Sequence, residues 1–425
     1  MEKHSSALTC TRFSANGLYI ASTGLDKTTV IWETNTGKIA TIITGHKRYI
    51  ACCAFSRDGN LLATGSNDKS VIIWDLTGTL TFDSQLARRF AHMVPFDDAE
   101  KSIKYERDVM NNAESSRNEV KLLQKLDEHN GAVNSVAFYG NHLIASGSGD
   151  KLVRIWSIET EGEERIDDTV NIQEKPFSPL DGHKYSVNHV EFSPCGSMLA
   201  SCSLDGTAII WSTENGGDAK STFINSGSGV RVCRWSPDGT KIATAGDDEK
   251  TTLWDVNNME ELRVFEGHSD AVNAIAFTHD SRYLVTACSE GTWRLFDTYN
   301  NETTEALIMC EEAHDLGVQG CDFSPTPGSM FAGREMDVAG DKQCYLLATS
   351  GNDSLVKLWQ IFICNREKVS VDITGSSRSG TRYREKKSLT GHGGNVTNVR
   401  FSTAHGEILG SVATDRTARI WSVVR

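Results

Sequence analysis

Hydrophobic and polar residues alternate along the chain in short runs separated by Gly, Pro, Asn and Asp. Val187–Phe192 is apolar at both ends, and Met198–Cys202 and Thr207–Trp211 follow it. The turns Ser193-Pro194-Cys195-Gly196 and Leu204-Asp205-Gly206 stand between these runs. β-Branched and aromatic residues fill the runs while turn residues punctuate them, which predicts short antiparallel strands. No helical period competes inside these units.

The pattern recurs. The third run closes on Trp32, Trp74, Trp156, Trp211, Trp254, Trp359 or Trp421, with Phe296 in the same slot once. Six residues before each stands an acid: Asp26, Asp68, Asp150, Asp205, Asp248, Glu290, Asp353 and Asp415. Four residues before the acid comes a hydroxyl: Ser22, Thr64, Ser146, Ser201, Thr244, Thr286, Thr349 and Ser411. An aromatic recurs upstream (Phe13, Phe55, Phe138, Phe192, Trp235, Phe277, Phe323, Phe401). Nine residues before it sits His4, His46, His129, His183, His268, His314 or His392, with Ser226 as the exception. This is a repeat of ~40 residues with roughly four strands per unit, as propeller blades require.

The units span about 1–45, 46–77 with 120–126, 127–180, 181–224, 225–265, 266–311, 312–389 and 390–425. Residues 78–119 form a polar insertion, in which Asp83–Val94 carries a short amphipathic-helix pattern. Further insertions cover Glu159–Lys175, Pro325–Lys342 and Asn365–Lys387. The expected fold is all-β, a single propeller of eight blades. The alternative is seven, with units 1 and 8 competing for one slot and Lys38–Ile43 completing the survivor. Three residues precede His4 and unit 8 ends without an outer strand, so either ring is expected to leave an unpaired edge.

The Asp, His and hydroxyl slots invite a catalytic-triad reading. A hydrolase needs one such set at one cleft, with an oxyanion hole. Here the set recurs unit after unit, so it reads as architecture in which partly buried polar groups satisfy one another. Phe296 has no N–H to donate, so unit 6 is expected to be held less firmly, and Trp293 reads as core packing. No GxxxxGK[ST] phosphate loop, HExxH or GxSxG elbow occurs.

Composition narrows the classes further. Lys and Arg total 43 against 56 Asp and Glu, a formal charge of −13, which disfavours a nucleic-acid footprint. Eleven cysteines form no CxxC pair, so no metal or cofactor is expected, and a reduced setting fits. There is no long apolar run and Met1–Ser5 is polar, so neither a membrane span nor a signal peptide is expected. The sequons at Asn301, Asn352 and Asn395 are read as unglycosylated.

Residues just after each repeat His vary (Lys47-Arg48-Tyr49, Lys184-Tyr185, Asp315-Leu316), whereas Ile50, Val187, Val272, Val318 and Val396 follow at a constant apolar position. Variation on a fixed support marks a display surface. Tyr and Arg are favoured interface anchors, so Arg48, Tyr49, Tyr185 and Leu316 are the expected partner contacts.

The Gly-His dipeptides at Gly45, Gly182, Gly267 and Gly391 and the Asp-x5-Trp spacing resemble the WD-repeat family. Glu312–Val318, Gly229–Cys233 and Ile210–Gly216 are similar to the branch in which a SAM domain and a U-box follow the propeller. The resemblance implies that the His, Ser/Thr, Asp and Trp slots form a hydrogen-bonded chain linking the strands of each blade. It further implies a non-catalytic scaffold docking a protein or peptide on one face, with ubiquitin-pathway components among its partners. A cytoplasmic setting is expected, the nucleus being the alternative. The chain stops four residues past Trp421. The other reading is therefore a fragment or isoform of a U-box ubiquitin ligase lacking its SAM and U-box modules.

Overall fold

The structure, a computed structural model, describes residues 1–80, 120–159, 171–214, 216–224, 227–300, 304–325, 342–364, 382–404 and 406–423. The Asp83–Val94 helix pattern, Ser226 and most of the four insertions lie outside these residues. Among the described residues, thirty-one strands, β1 (Leu8–Phe13) to β31 (Ala418–Ser422), form eight antiparallel sheets in chain order. Seven sheets have four strands. The eighth has three among the described residues: β29 (Val396–Phe401), β30 (Ile408–Ala413) and β31.

Eight blades are therefore present, and the seven-blade alternative is overturned. Units 1 and 8 each own a sheet, and β4 (Ile39–Thr44) pairs with β3 (Thr28–Glu33) inside blade 1. The first strand of each blade lines the centre, where it touches the first strand of the next blade. β29 in turn touches β1, which closes the ring.

A bulge falls at the second residue of each first strand. Register shifts there in β1 between Leu8 and Cys10, in β13 (Val187–Phe192) between Val187 and His189, and in β29 between Val396 and Asn398. The bulged residue leaves the ladder and its side chain can be re-aimed. Thr9 Oγ1 donates to Ile50 O at 2.6 Å, Asn134 Nδ2 to Val187 O at 2.8 Å and Asn188 Nδ2 to Val230 O at 2.9 Å. Asn273 Nδ2 reaches Val318 O at 2.9 Å, and Thr397 Oγ1 spans the seam to Leu8 O at 3.1 Å. These bonds form an inner girdle from blade to blade.

The expected free edge needs one correction. The N–H of Ala418 donates to Met1 O at 3.2 Å, and Glu2 bridges Thr417, so the chain start caps the beginning of β31. The extended residues before His4 lie alongside this edge because β1 follows directly as the neighbouring blade's inner strand. From Arg419 onward β31 has no outer partner among the described residues.

The apolar core lies between blades rather than within them. Ala145, Val153 and Ile155 of blade 3 pack on Val187, Val190, Leu199, Ile209 and Trp211 of blade 4. Each such buried aliphatic side chain contributes about 1.5–3 kcal/mol, so a sheet face is stable only against its neighbour.

Candidate functional site

The repeat acid builds a turn. In blades 1 to 4 its Oδ1 accepts the N–H two residues on, from Thr28, Ser70, Leu152 and Thr207 at 3.1, 3.1, 3.0 and 2.9 Å. Lys250, Leu355 and Thr417 repeat this in blades 5, 7 and 8 at 3.2, 3.1 and 2.9 Å. Such Asx turns favour Asp and tolerate a left-handed residue. The residue after the acid has positive φ in every blade, from 64° at Glu249 to 97° at Gly291. Glu290 is one methylene longer and is engaged instead by the hydroxyls of Ser269 and Thr292.

The second carboxylate oxygen faces the histidine and the loop after it. In blade 2, Asp68 Oδ2 accepts His46 Nδ1–H at 3.0 Å and the Lys47 N–H at 2.7 Å. His46 Nε2 lies 2.8 Å from Thr64 Oγ1, and the Trp74 indole N–H donates to that hydroxyl at 2.9 Å. In blade 4, Ser201 Oγ sits 2.7 Å from His183 Nε2 and 2.8 Å from Trp211 Nε1, while His183 Nδ1 is 3.3 Å from Asp205. Blade 7 joins Asp353, His314, Thr349 and Trp359 at 2.9, 2.9 and 2.8 Å. Blade 8 joins Asp415, His392, Ser411 and Trp421 at 3.0, 2.8 and 2.8 Å. Blade 1 does so through His4, Ser22, Asp26 and Trp32.

Blade 3 departs from this. His129 contacts Asp150 at 2.8 Å and Ser146 at 2.6 Å, but the buried Trp156 N–H has no acceptor among the described residues. Trp156 therefore stands outside the hydrogen-bonded chain it was expected to join. In blade 6, Phe296 stacks on Phe265 with centroids 4.4 Å apart. Trp293 is fully buried against Trp359 and Tyr383 at the seam with blade 7.

In five of the sets the electrostatics favour an ionised acid beside a neutral imidazole. Burial pushes the imidazoles of His4, His46, His183, His268 and His392 down, against the upward pull of their acids. Burial raises the Asp68 carboxyl, but hydrogen bonds from Ser70, Lys47 and His46 outweigh it and hold the group down at about 2. Donor atoms of His268, Cys288 and Glu290 lie within 4.8 Å of one another, a spacing a metal ion could use. Those atoms already bond inside the blade: His268 to Glu290 at 2.7 Å, and the Cys288 thiol to Asp270 O at 3.0 Å.

These polar sets hold up one rim of the ring. The loop after each histidine and the turn at each acid lie at the same end, tied by Asn67 N–H to Tyr49 O and Ser203 Oγ to Tyr185 O. Tyr49, Tyr185 and Leu316, of blades 2, 4 and 7, stand there 38%, 62% and 65% exposed, and Arg48 is exposed next to Tyr49. Leu25 and Leu204 join them from the acid turns. Sequence reading passed over these two, although each directly precedes the repeat acid. The opposite end offers Tyr299, which is already engaged. Lys241 Nζ lies 3.6 Å above its ring and its hydroxyl donates to Asp238 at 2.9 Å.

Comparison with known proteins agrees with this geometry. The family model for the WD domain, G-beta repeat, matches residues 1–33, 37–75, 120–157, 174–212, 217–255, 259–297 and 383–422. WD repeat, SAM and U-box domain-containing protein 1 of Danio rerio is 31% identical over 303 residues, 71% of this chain and 54% of that protein. Its Homo sapiens counterpart is 32% identical over 302 residues, 71% of this chain and 56% of that protein. Nuclear distribution protein PAC1 of Arthroderma otae is 27% identical over 313 residues, 70% of this chain and 60% of that protein. The chain thus spans a little over half the length of these relatives. The crystal structure of the computationally designed Ika8 protein shares the fold, with a TM-score of 0.65 at 19% identity over 99% of this chain and 98% of that one.

Proposed function

Since the chain belongs to the WD-repeat family, we propose that it is a non-catalytic scaffold that docks a protein or peptide on the rim carrying the histidine loops. One observation carries this reading. Exposed Tyr49, Tyr185, Leu204 and Leu316 are displayed around that end by blades 2, 4 and 7, while the opposite end's Tyr299 is pinned by Lys241 and Asp238. Exposed aromatic and aliphatic side chains beside an Arg are the composition of an interface centre. The acid-to-backbone bonds, such as Asp68 to Lys47 and Asp205 to Lys184 (2.6 Å), pre-order those loops and lower the entropy lost on docking.

Likeness to proteins named for WD repeats, SAM and U-box domains supports a ubiquitin-pathway setting, with this propeller supplying recognition in the cytoplasm. The second reading, a propeller portion of a U-box ligase, rests on the same likeness. A transcript carrying a U-box in frame beyond Arg425 decides for it. The docking face is tested by affinity capture with the wild-type chain and with Arg48→Ala, Tyr49→Ala and Tyr185→Ala combined. The variant should melt like the wild type and lose the captured protein; undiminished recovery refutes the face.

A further inference from the structure

The inner strands place a second feature in the central channel, away from the rim. The fifth residues of the eight first strands are Arg12, Ala54, Ala137, Glu191, Arg234, Ala276, Asp322 and Arg400. They follow a rule: an acid in one blade pairs with an arginine in the next. Arg234 Nη1 lies 3.3 Å from Glu191, and Arg400 Nη1 lies 3.5 Å from Asp322. Each acid also accepts a backbone N–H of that next blade, Trp235 at 3.1 Å and Phe401 at 2.8 Å, so both carboxylates are committed.

Arg12 breaks the rule. The blade before it in the ring is blade 8, which presents Arg400 where an acid would be needed. Arg12 donates to Thr11 O at 3.0 Å and has no carboxylate within 4.0 Å among the described residues. Arg231, which also lines this space, is paired with Asp247 at 2.5 Å, so Arg12 is the one guanidinium of the four without a carboxylate among the described residues, although the chain as a whole carries −13. The group that most favours its charge is the Cys10 thiol, pulled down to about 5 by its hydrogen bond with Cys53 and by Arg12.

Arg12, Arg234 and Arg400 line one central cavity of ≈ 220 Å³, with His189 and Asn398 beside them. The Arg234 and Arg400 side chains are 18% and 20% exposed. His189 adds no charge, because burial and the surrounding arginines push its imidazole well down. Burial, Arg234 and Arg12 together lower even the Arg400 guanidinium to about 10. Crowded, incompletely neutralised guanidinium forks suit a tetrahedral oxyanion, which they can bind bidentately. The cavity is smaller than the several hundred Å³ usual for drug-sized ligands.

We propose that the waist of the central channel is a binding site for a small phosphate-class oxyanion, gripped by Arg12 together with Arg400 and Arg234. The site is independent of the rim and of whatever protein docks there.

Calorimetric titration with inorganic pyrophosphate, at ionic strength held constant with chloride, tests it. The wild-type chain should bind at one site. Arg12→Gln should weaken binding about tenfold or more, the loss expected for a charge-assisted contact. Arg57→Gln, an exposed site outside the channel, should bind as the wild type does. Thermal melts keep the test open if Arg12→Gln alters stability. Without pyrophosphate its melting temperature sets the variant's own baseline. With pyrophosphate only the wild type should gain. Absence of binding up to about 10 mM overturns the proposal. So does equal weakening by Arg57→Gln, or an Arg12→Gln melting temperature that falls by the same amount with and without pyrophosphate.

Discussion

Asp68→Asn isolates what one polar set contributes, because it keeps the shape of the side chain and changes only donors and acceptors. Asp68 accepts on both sides: from His46 Nδ1 and Lys47 N–H at one oxygen, and from Ser70 N–H at 3.1 Å and Ser70 Oγ at 2.6 Å at the other. An amide must turn its NH2 toward one of these donor pairs. The His46 side chain is wholly buried and that of Asp68 is 5% exposed, so water cannot replace the lost acceptor. An unsatisfied buried donor costs about 1–3 kcal/mol, and the more exposed Lys47 amide adds about 0.5–1.5, giving roughly 2–4 kcal/mol. At about 2.1 cal/mol/K per residue, the unfolding entropy of this chain is roughly 0.9 kcal/mol/K, so the melting temperature should drop by ~2–5 °C.

Scanning calorimetry reads that drop, and amide hydrogen exchange reads the loop. The Lys47 N–H should exchange faster in Asp68→Asn while the core of blade 5 is unchanged. The deficit should persist down to pH 4, because the wild-type carboxyl stays ionised until about pH 2. A melting temperature within about 1 °C of the wild type, with unaltered Lys47 exchange, would refute the stabilising role assigned to the set.

Three further outcomes are expected. Trp74→Phe should destabilise by about 1 kcal/mol more than Trp293→Phe in urea unfolding, since Trp74 donates to Thr64 while the buried Trp293 N–H has no partner among the described residues; equal costs contradict the accounting. Gly291→Ala should cost about 2 kcal/mol or more, because φ is 97° and a Cβ would meet His314 O at 2.1 Å. A loss below about 0.5 kcal/mol in the same assay counts against the turn geometry. Melting temperature should fall with pH from about 6.5 downward. Five repeat imidazoles titrate below 6.5 in the folded chain, so the unfolded chain takes up more protons there and gains stability on acidification. The carboxylates act lower: with Asp68 held at about 2 against 3.8, their contribution is complete above pH 4 and lost as pH falls toward 2. A melting temperature flat to pH 5 contradicts the buried-neutral histidines.

The sequence made the blades legible because the same turn chemistry must be solved in each of them. An Asx turn needs Asp, its second oxygen needs donors, and the aromatic must fill the gap to the next blade; each demand fixes a residue type at a fixed spacing. The inner girdle escaped because its demand is looser. Thr9, Asn134, Asn188, Asn273 and Thr397 all donate across the seam, yet Ala51 occupies the same slot, so no single residue type recurs. The channel charges escaped for a related reason. Arg12, Glu191, Arg234, Asp322 and Arg400 acquire meaning only when blade 8 is known to precede blade 1. The orphaned Trp156 N–H was not legible either, because blade 3 carries the same residue types at the same spacing as its neighbours.

The account rests on the polar sets being supports and the rim they brace being the working surface. A hydrogen-exchange footprint of the chain bound to a protein it captures tests this most directly. Protection should concentrate at Lys47–Tyr49, Lys184–Tyr185 and Asp315–Leu316. Protection confined to the opposite end, around Asp238 and Tyr299, with those loops unchanged, contradicts it.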